Sequence, residues 1–358
     1  MKNKKKIAIP IFLILAFLIL YIIFSVTPTR TEIQFLPLWT LYVSSDVVTG
    51  EEQLIPESHL VPFKLSDNIG YFDTQGNLVY KYNISQRFTI SDNYFILYSN
   101  DSTSFNVQKQ NGEVVLKKSF AGFPYLFEDK LFVFSPGGNT VSQFDLEGNL
   151  KFQYQSYAPL LSFSQGKDCS VLGFADGELC TIFPESDIKI STYPGGSDYQ
   201  IIYGSDISDS GDLIACVCGY DKQRFVLYKR TGSQQKPIFH EYIEEQTTEP
   251  VEVFFTSDSK YAYYSSKNML GIVDCTKLKS NHFSLDSKVL KITEIPDLNI
   301  VFVLSKSDEN YKITMIEKAS AVVGEYSFDA KEAFINSYEN LLFVGADDEI
   351  SCLEIVRN

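Results

Sequence analysis

A recurring turn pattern constrains this chain more than any other feature of its sequence. Residues 71–82 read YFDTQGNLVYKY and residues 143–154 read QFDLEGNLKFQY, so both contain Phe-Asp-x-x-Gly-Asn-Leu. Midway between them, residues 105–120 carry a third glycine, Gly112, which lies 36 residues from the turn glycine of each neighbour. Asp, Asn and Gly favour tight turns because they tolerate positive φ or bond their own backbone. Alternating apolar residues flank each turn, so every unit is predicted to be a strand, a turn and a second strand.

Looser copies of this outline continue along the chain, at residues 180–193, 225–242, 271–285 and 313–328. Another pair of short apolar strands precedes each copy, so the unit is four strands in about 36 to 47 residues, the period of a β-propeller blade. Seven units are complete, and an eighth that begins at Lys331 is one strand short. Residues 35–45 supply the missing strand, because pairing the two ends of the chain in one blade leaves no open edge. The sequence therefore predicts an all-β, eight-bladed propeller over residues 35–358, with seven blades as the alternative.

The repeat also resembles a known group of proteins, the PQQ-like β-propeller superfamily, which includes non-catalytic outer-membrane-assembly scaffolds. The resemblance rests on the D-x-x-G-x-L-x-x pattern at Asp73–Tyr80 and Asp145–Phe152, and on the pair Leu38–Trp39. It covers most of residues 35–358, although residues 205–219 are more similar to WD40-type blades. The resemblance implies a scaffold that acts in envelope or outer-membrane assembly.

The N-terminus combines basic residues with a long apolar run. Four lysines lie in residues 1–6, and the next eighteen residues, Ile7–Phe24, carry no charge. As a helix this run would span about 27 Å, close to the hydrocarbon thickness of a bilayer. Because lysines favour the cytoplasmic side, we predict a basic cytoplasmic tail at 1–6, a single-pass signal anchor of the inner membrane at 7–25, and a linker at 26–34. The propeller would then lie on the periplasmic side. A cleaved signal peptide is the alternative, although its apolar region would be shorter and no A-x-A site follows.

The charge balance excludes one class of partner. The formal net charge is −14, and five of the 31 basic residues but none of the 45 acidic ones precede residue 31. A body with so large an acidic excess repels phosphate backbones, so nucleic-acid binding is not expected. The predicted partner is instead an envelope or membrane protein.

Motifs that carry chemistry are not found in this sequence. The quinone-dependent dehydrogenases of the resembled superfamily use a bound quinone, a calcium ion and usually two adjacent cysteines, whereas Cys216 and Cys218 are two residues apart. The six cysteines are expected to be buried thiols, with a Cys169–Cys180 bridge as the alternative. Residues 206–212 resemble a calcium loop only in part and are interpreted as a polar turn. No catalytic residue, cofactor or metal ligand is therefore predicted.

The function is predicted from fold and placement, as a membrane-anchored protein-interaction scaffold that is not an enzyme. Long loops are the expected interface, with candidate residues Gly195, Asp198, Ser233, Lys236, Glu244, Glu245 and Glu249. The alternative is a propeller that binds a sugar or another small molecule, or an enzyme. Carboxylates converging on a deep central pocket would favour this alternative, and the sequence alone brings no two carboxylates together. A sensor role would need a membrane partner, because a six-residue tail cannot hold a signalling domain.

Overall fold

The computed structural model describes Phe17, Tyr21 and residues 33–43, 59–99 and 103–357. Apart from Phe17 and Tyr21, the predicted tail and membrane anchor lie outside the described residues. Within those ranges, no helix is both long enough and apolar enough to cross a membrane. The strand ends Ile33–Leu36 and Ile355–Arg357 belong to a small separate unit, and Pro37–Glu354 form the main unit.

Thirty-one strands in the described residues form eight sheets, which we number as blades in chain order. Strand β1 is Ile33–Tyr42, and blade 1 holds β2 (Leu60–Leu65), β3 (Asn68–Asp73) and β4 (Leu78–Asn83). Blade 2 holds β5 (Arg87–Ile90), β6 (Tyr94–Tyr98), β7 (Ser104–Lys109) and β8 (Val114–Ser119). Blade 3 holds β9 (Phe123–Phe127), β10 (Lys130–Phe134), β11 (Thr140–Phe144) and β12 (Leu150–Gln155). Blade 4 holds β13 (Leu160–Gln165), β14 (Ser170–Phe174), β15 (Leu179–Phe183) and β16 (Ile188–Thr192).

The second half of the chain continues in the same way. Blade 5 holds β17 (Ile202–Ile207), β18 (Leu213–Cys218), β19 (Arg224–Thr231) and β20 (Gln234–Tyr242). Blade 6 holds β21 (Val253–Phe255), β22 (Tyr261–Ser265), β23 (Met269–Asp274) and β24 (Lys279–Ser284). Blade 7 holds β25 (Lys288–Ile295), β26 (Ile300–Ser307), β27 (Asn310–Glu317) and β28 (Ala321–Asp329). Blade 8 holds β29 (Ala333–Tyr338), β30 (Leu341–Ala346) and β31 (Glu349–Arg357), with β1 as its fourth strand. Short 3₁₀ helices occupy Pro184–Ser186 and Pro296–Leu298. The predicted eight-bladed propeller is confirmed, and the seven-bladed alternative is wrong.

A common hydrogen bond defines the two ends of the blades. The residue that follows the outermost strand donates its N–H to the turn between the second and third strands, as Ser156 does to the Asn139 carbonyl at 2.9 Å. Leu285 and Asn268 form the same bond at 2.7 Å. We call this the connection end, because here the chain passes to the next blade, and we call the opposite end the hairpin end.

The turn predicted from the repeat lies at the hairpin end, between the last two strands of a blade. Gly76 and Gly148 adopt φ values of +89° and +88°, a conformation that strongly favours glycine. In blade 1, the carboxylate of Asp73 accepts hydrogen bonds from the backbone N–H groups of Gln75 and Asn77, at 3.0 and 2.8 Å. The side chain therefore satisfies the turn backbone, which explains why this residue precedes the glycine by three positions.

Blade 8 is completed by strands from both ends of the sequence. Strand β1 lies beside β31, and the Val43 N–H donates to the carbonyl of Asp348 at 2.7 Å. The ring of Trp39 lies 6.0 Å from that of Phe343 in blade 8 and 5.8 Å from that of Phe72 in blade 1. Trp39 also packs against the buried cluster that contains Cys352. The indole thus ties the closing strand to two blades.

Aromatic side chains fill the space between neighbouring blades. The fully buried ring of Phe132 in blade 3 lies 4.8 Å from Phe163 in blade 4. Between blades 5 and 6, Phe225 stacks on Tyr264 with ring centroids 4.6 Å apart. Burial of each such side chain contributes roughly 2–3 kcal/mol, so these contacts are a main source of stability between the sheets.

Candidate functional site

A cavity of about 570 Å³ lies between the innermost strands of blades 3 to 7. Its walls come from β9, β13, β17, β21 and β25, together with residues that flank these strands. The volume is within the range of small-molecule sites, roughly 300–1,000 Å³. The cavity is therefore the candidate ligand site of the propeller.

Asp206 is the most strongly held carboxylate of this cavity. Ser164 Oγ, from blade 4, donates to its Oδ1, and the N–H of Phe255, from blade 6, donates to its Oδ2 at 2.7 Å. The N–H of Ile207 adds a third bond at 2.9 Å. Burial raises the pKa of Asp206 to about 6, although these hydrogen bonds oppose the shift. Because its oxygens are occupied by protein donors, Asp206 links three innermost strands.

Glu252 differs from Asp206 in that its carboxylate is near a charged group, Lys291, but accepts no hydrogen bond from any described residue. Its side chain is partly buried in the cavity wall, and among the described residues it forms neither a hydrogen bond nor an ion pair. Burial raises the pKa of Glu252, and the charge of Lys291 partly offsets that rise. Burial raises the pKa of Tyr125, which also lines the cavity, and the charge of Glu252 raises it further. The Glu252 carboxylate is thus free to bind a donor that enters the cavity.

Two further groups define the polarity of the cavity. Glu294 accepts a hydrogen bond from the N–H of Ser257 at 2.5 Å, and burial raises its pKa. Gln165 is only 8 % exposed, and its Oε1 accepts a 2.6 Å bond from Ser170. Gln165 lines the cavity, and its Nε2 donates no hydrogen bond within the described part of the chain. The half-buried carboxylate of Glu252 therefore borders the cavity without a hydrogen bond to the residues that the structure describes, whereas the Asp209 side chain is exposed.

Apolar rings form the remaining wall. Tyr125 and Phe163 meet edge to face with centroids 5.6 Å apart, and Phe254 lines the cavity from blade 6. Such rings bind the apolar face of a sugar or the methylene groups next to a cation.

Metal binding has no support in the described ranges, where no group of three or more His, Cys, Asp or Glu side chains is placed to hold an ion. The predicted polar turn at residues 206–212 is present, because β17 ends at Ile207 and the Gly211 N–H bonds to the Ser208 carbonyl at 2.7 Å. The role of Asp206 in the cavity was missed by sequence reasoning, which treated it only as part of this turn.

The cysteines and histidines form no shared site. All six cysteines are free and buried, so the alternative Cys169–Cys180 bridge is absent. His59 stacks on Tyr338 with ring centroids 3.9 Å apart, whereas His282 Nε2 lies 3.3 Å from a carboxylate oxygen of Glu241 in another part of the propeller.

A second feature is a group of exposed tyrosines at the connection end of blades 3 to 5, which we call the tyrosine surface. Its members are Tyr157, Tyr193, Tyr199, Tyr220 and Tyr242. The rings of Tyr199 and Tyr220 are 6.4 Å apart, and the Tyr220 N–H donates to the Tyr199 carbonyl.

The remaining three tyrosines lie at the same end of blades 3 to 5. Arg224 lies against Gly196, and in the sheet it pairs with Tyr242. Burial raises the pKa of Tyr193, with a smaller contribution from nearby Tyr157. The tyrosine surface therefore extends over three consecutive blades.

The predicted interface residues are divided between the two ends. Gly195 and Asp198 lie in the connection from blade 4 to blade 5, within the tyrosine surface, and the Asp198 N–H donates to Asp221 at 3.1 Å. The acidic residues Glu244, Glu245 and Glu249 lie in the next connection, at the same end.

The other two residues do not join them. Ser233 is in the turn between β19 and β20 at the hairpin end, and Lys236 lies on the outermost strand β20. The sequence pointed to the connection after blade 4 by its length, but it did not single out the tyrosines that this connection exposes.

Comparison with known proteins agrees with the blades described above. A family model described as a beta-propeller protein matches residues 1–358. The chain belongs to this beta-propeller family. A relative of this beta-propeller protein, an uncharacterized protein of Treponema pallidum (strain Nichols), is 28 % identical over 361 residues, which cover 99 % of this chain and 96 % of the relative.

Solved structures share the fold of this beta-propeller protein at low sequence identity. BamB from Moraxella catarrhalis is similar with a TM-score of 0.63 and 12 % identity, covering 90 % of this chain and 100 % of BamB. The computationally designed Ika8 protein gives a TM-score of 0.61 at 12 % identity, with the same coverage. A chain of the mitotic checkpoint complex gives 0.56 at 14 % identity, covering 85 % of this chain and 98 % of that one. These three proteins differ widely from one another and still share the propeller architecture, so the fold alone does not assign a function.

Proposed function

We propose that this protein is an extracytoplasmic scaffold that binds another protein through the tyrosine surface. The observation that carries the proposal is the clustering of five exposed tyrosines on adjacent connections and turns of one propeller end. Two of them, Tyr199 and Tyr220, are in ring contact. A group of exposed aromatic side chains is typical of protein interfaces rather than of ordinary surface.

Tyrosine suits this role for physical reasons. Each ring buries a large area on binding while losing the freedom of only two side-chain torsions, and its hydroxyl remains able to hydrogen-bond at the rim. Tyr199, which is 68 % exposed, lies beside Tyr220 and is held by backbone bonds between two loops. The surface is therefore already arranged before a partner arrives, which lowers the entropic cost of binding.

We further propose that residues 7–25 anchor the protein in the inner membrane, with the propeller on the periplasmic side. The support is the uncharged run Ile7–Phe24 that follows a lysine-rich start. The resemblance of the repeat to outer-membrane-assembly scaffolds, and the fold shared with BamB from Moraxella catarrhalis, favour a partner among envelope or membrane proteins. No catalytic step is part of this proposal.

Site-specific crosslinking in intact cells tests the scaffold role. A photo-crosslinking amino acid at Tyr199 should capture the same envelope protein in repeated experiments. Tyr326 is the matched control, because it is 64 % exposed but lies on the outermost strand of blade 7. The variant Tyr199→Ser should reduce co-purification of the captured protein, whereas Tyr326→Ser should not. Equal capture at both positions, or capture at neither, would contradict the proposal.

A further inference from the structure

We propose that the cavity between blades 3 and 7 binds a small organic cation, a protonated amine that also carries hydroxyl or carbonyl oxygens, through the carboxylate of Glu252. This inference is independent of the scaffold role, which uses the connection end. It gives a ligand class to the small-molecule alternative that the sequence left open.

The charge of the cavity favours a cation. Four carboxylates line it, those of Asp206, Asp209, Glu252 and Glu294, and Lys291 is the one cationic side chain among the described lining residues. Removing a carboxylate from water without a partner is unfavourable, so a bound cation would stabilise Glu252 in its charged form.

The arrangement favours an amine over a metal ion. A hard cation such as Ca²⁺ needs six to eight oxygen ligands around one point. Asp206 directs its oxygens to protein donors from three strands, and Glu294 accepts the Ser257 N–H. Asp209 is exposed to solvent, so Glu252 is the one half-buried carboxylate of the four that accepts no hydrogen bond from the described chain, and a single carboxylate matches one ammonium group.

Other residues of the cavity wall indicate which groups the ligand carries besides its amine. Gln165 lines the cavity and its Nε2 donates no hydrogen bond within the described ranges, so it is available to a hydroxyl or carbonyl oxygen of the ligand. The rings of Tyr125 and Phe163 offer an apolar face for a sugar ring or an alkyl chain. Amino sugars and basic amino acids both have these three features, and the test below distinguishes them.

Calorimetric titration of the full-length protein in detergent tests the ligand class with two pairs of probes. Glucosamine has an amine where glucose has a hydroxyl, and lysine has a side-chain ε-amine that norleucine lacks, so the second pair tests the side-chain amine while both members keep the α-ammonium group. We expect at least one amine to bind at least about tenfold more tightly than its neutral counterpart, since a hydrogen bond to a charged group supplies such a ratio. The pair that responds identifies the source of the amine.

Variants of the cavity then locate the site. Glu252→Gln should weaken amine binding at least about tenfold. Glu249→Gln is the control, because Glu249 lies three residues earlier and pairs with Lys288 outside the cavity. Lys291→Gln should strengthen binding several-fold, since it removes the competing cation, and this opposite effect remains informative if Glu252→Gln does not fold.

Four results would overturn the inference. The first two are that neither amine binds up to millimolar concentration, or that an amine and its neutral probe bind equally. The other two are that only divalent cations bind, or that neither the Glu252 nor the Lys291 substitution changes the binding of an amine. Because none of these measurements involves the tyrosine surface, they leave the scaffold proposal to its own test.

Discussion

Replacing Asp206 with asparagine should change how the stability of the propeller depends on pH. The carboxyl has a pKa of about 6 in the folded protein against 3.8 for the ordinary group, with burial as the main cause. A raised pKa stabilises the fold at pH values below the unfolded pKa, and this contribution is lost as the pH rises through the folded pKa. Asparagine does not titrate, so the stability of Asp206→Asn does not fall in this way as the pH rises.

The size of the effect follows from the shift. One pKa unit corresponds to 1.36 kcal/mol, so a shift of about two units amounts to about 3 kcal/mol. Between about pH 3 and about pH 8, the free energy of unfolding of the native protein should therefore fall by about 3 kcal/mol relative to that of Asp206→Asn. Other carboxyls titrate in both proteins and largely cancel in the difference.

Urea unfolding at a series of pH values, followed by tryptophan fluorescence and circular dichroism, measures this difference. A companion variant, Ser164→Ala, should raise the pKa of Asp206 further, because the Ser164 hydroxyl donates to the carboxylate and lowers its pKa. Carboxyl resonances of Asp206 in a pH titration report that change directly. A stability difference that is constant with pH would refute the reasoning, since it would mean that Asp206 titrates alike in the folded and unfolded chain.

Three further substitutions test the architecture by their free energies of unfolding. Trp39→Ala should cost about 3 kcal/mol, because it removes the indole contacts that tie the closing strand to two blades; a loss below about 1 kcal/mol would contradict this role. Gly76→Ala should cost more than Gly232→Ala, since both glycines have positive φ but only at Gly76 would the new Cβ lie 2.7 Å from the Trp39 ring; equal costs would argue against the close approach. Glu178→Ala should cost about 3 kcal/mol, because three hydroxyl groups of neighbouring side chains lose a buried acceptor, and a neutral result would show that water replaces it.

The blades were predictable because their information is local. A turn such as Asp73 to Asn77 is specified by five adjacent residues, and alternating apolar residues fix which face of each strand is buried. Spacing between turns then gives the length of the blade, and eight blades follow from the length of the chain. The same comparison of strands along the sequence predicted that the strand with Trp39 completes the last blade.

The cavity was not predictable because its residues come from separate blades. Gln165 and Glu252 are 87 positions apart, and only the curvature of the ring brings their strands around one space. In the sequence of one innermost strand, a single polar residue that faces the cavity cannot be told from a polar residue that faces solvent. The useful signal would have been that Ser164, Asp206 and Glu294 interrupt the first strands of blades 4, 5 and 7, where a packed core calls for apolar side chains.

The pairing of β1 with β31 has a consequence for biosynthesis. A ribosome that has not yet translated residues 349–354 holds a nascent chain whose other blades can form, while β1 waits for its neighbour. Until then an unpaired strand edge is exposed to other nascent chains and to proteases. A premature stop codon in the last blade would therefore remove far more than one strand, because it would leave the entire ring without its closing contact and mark the product for degradation.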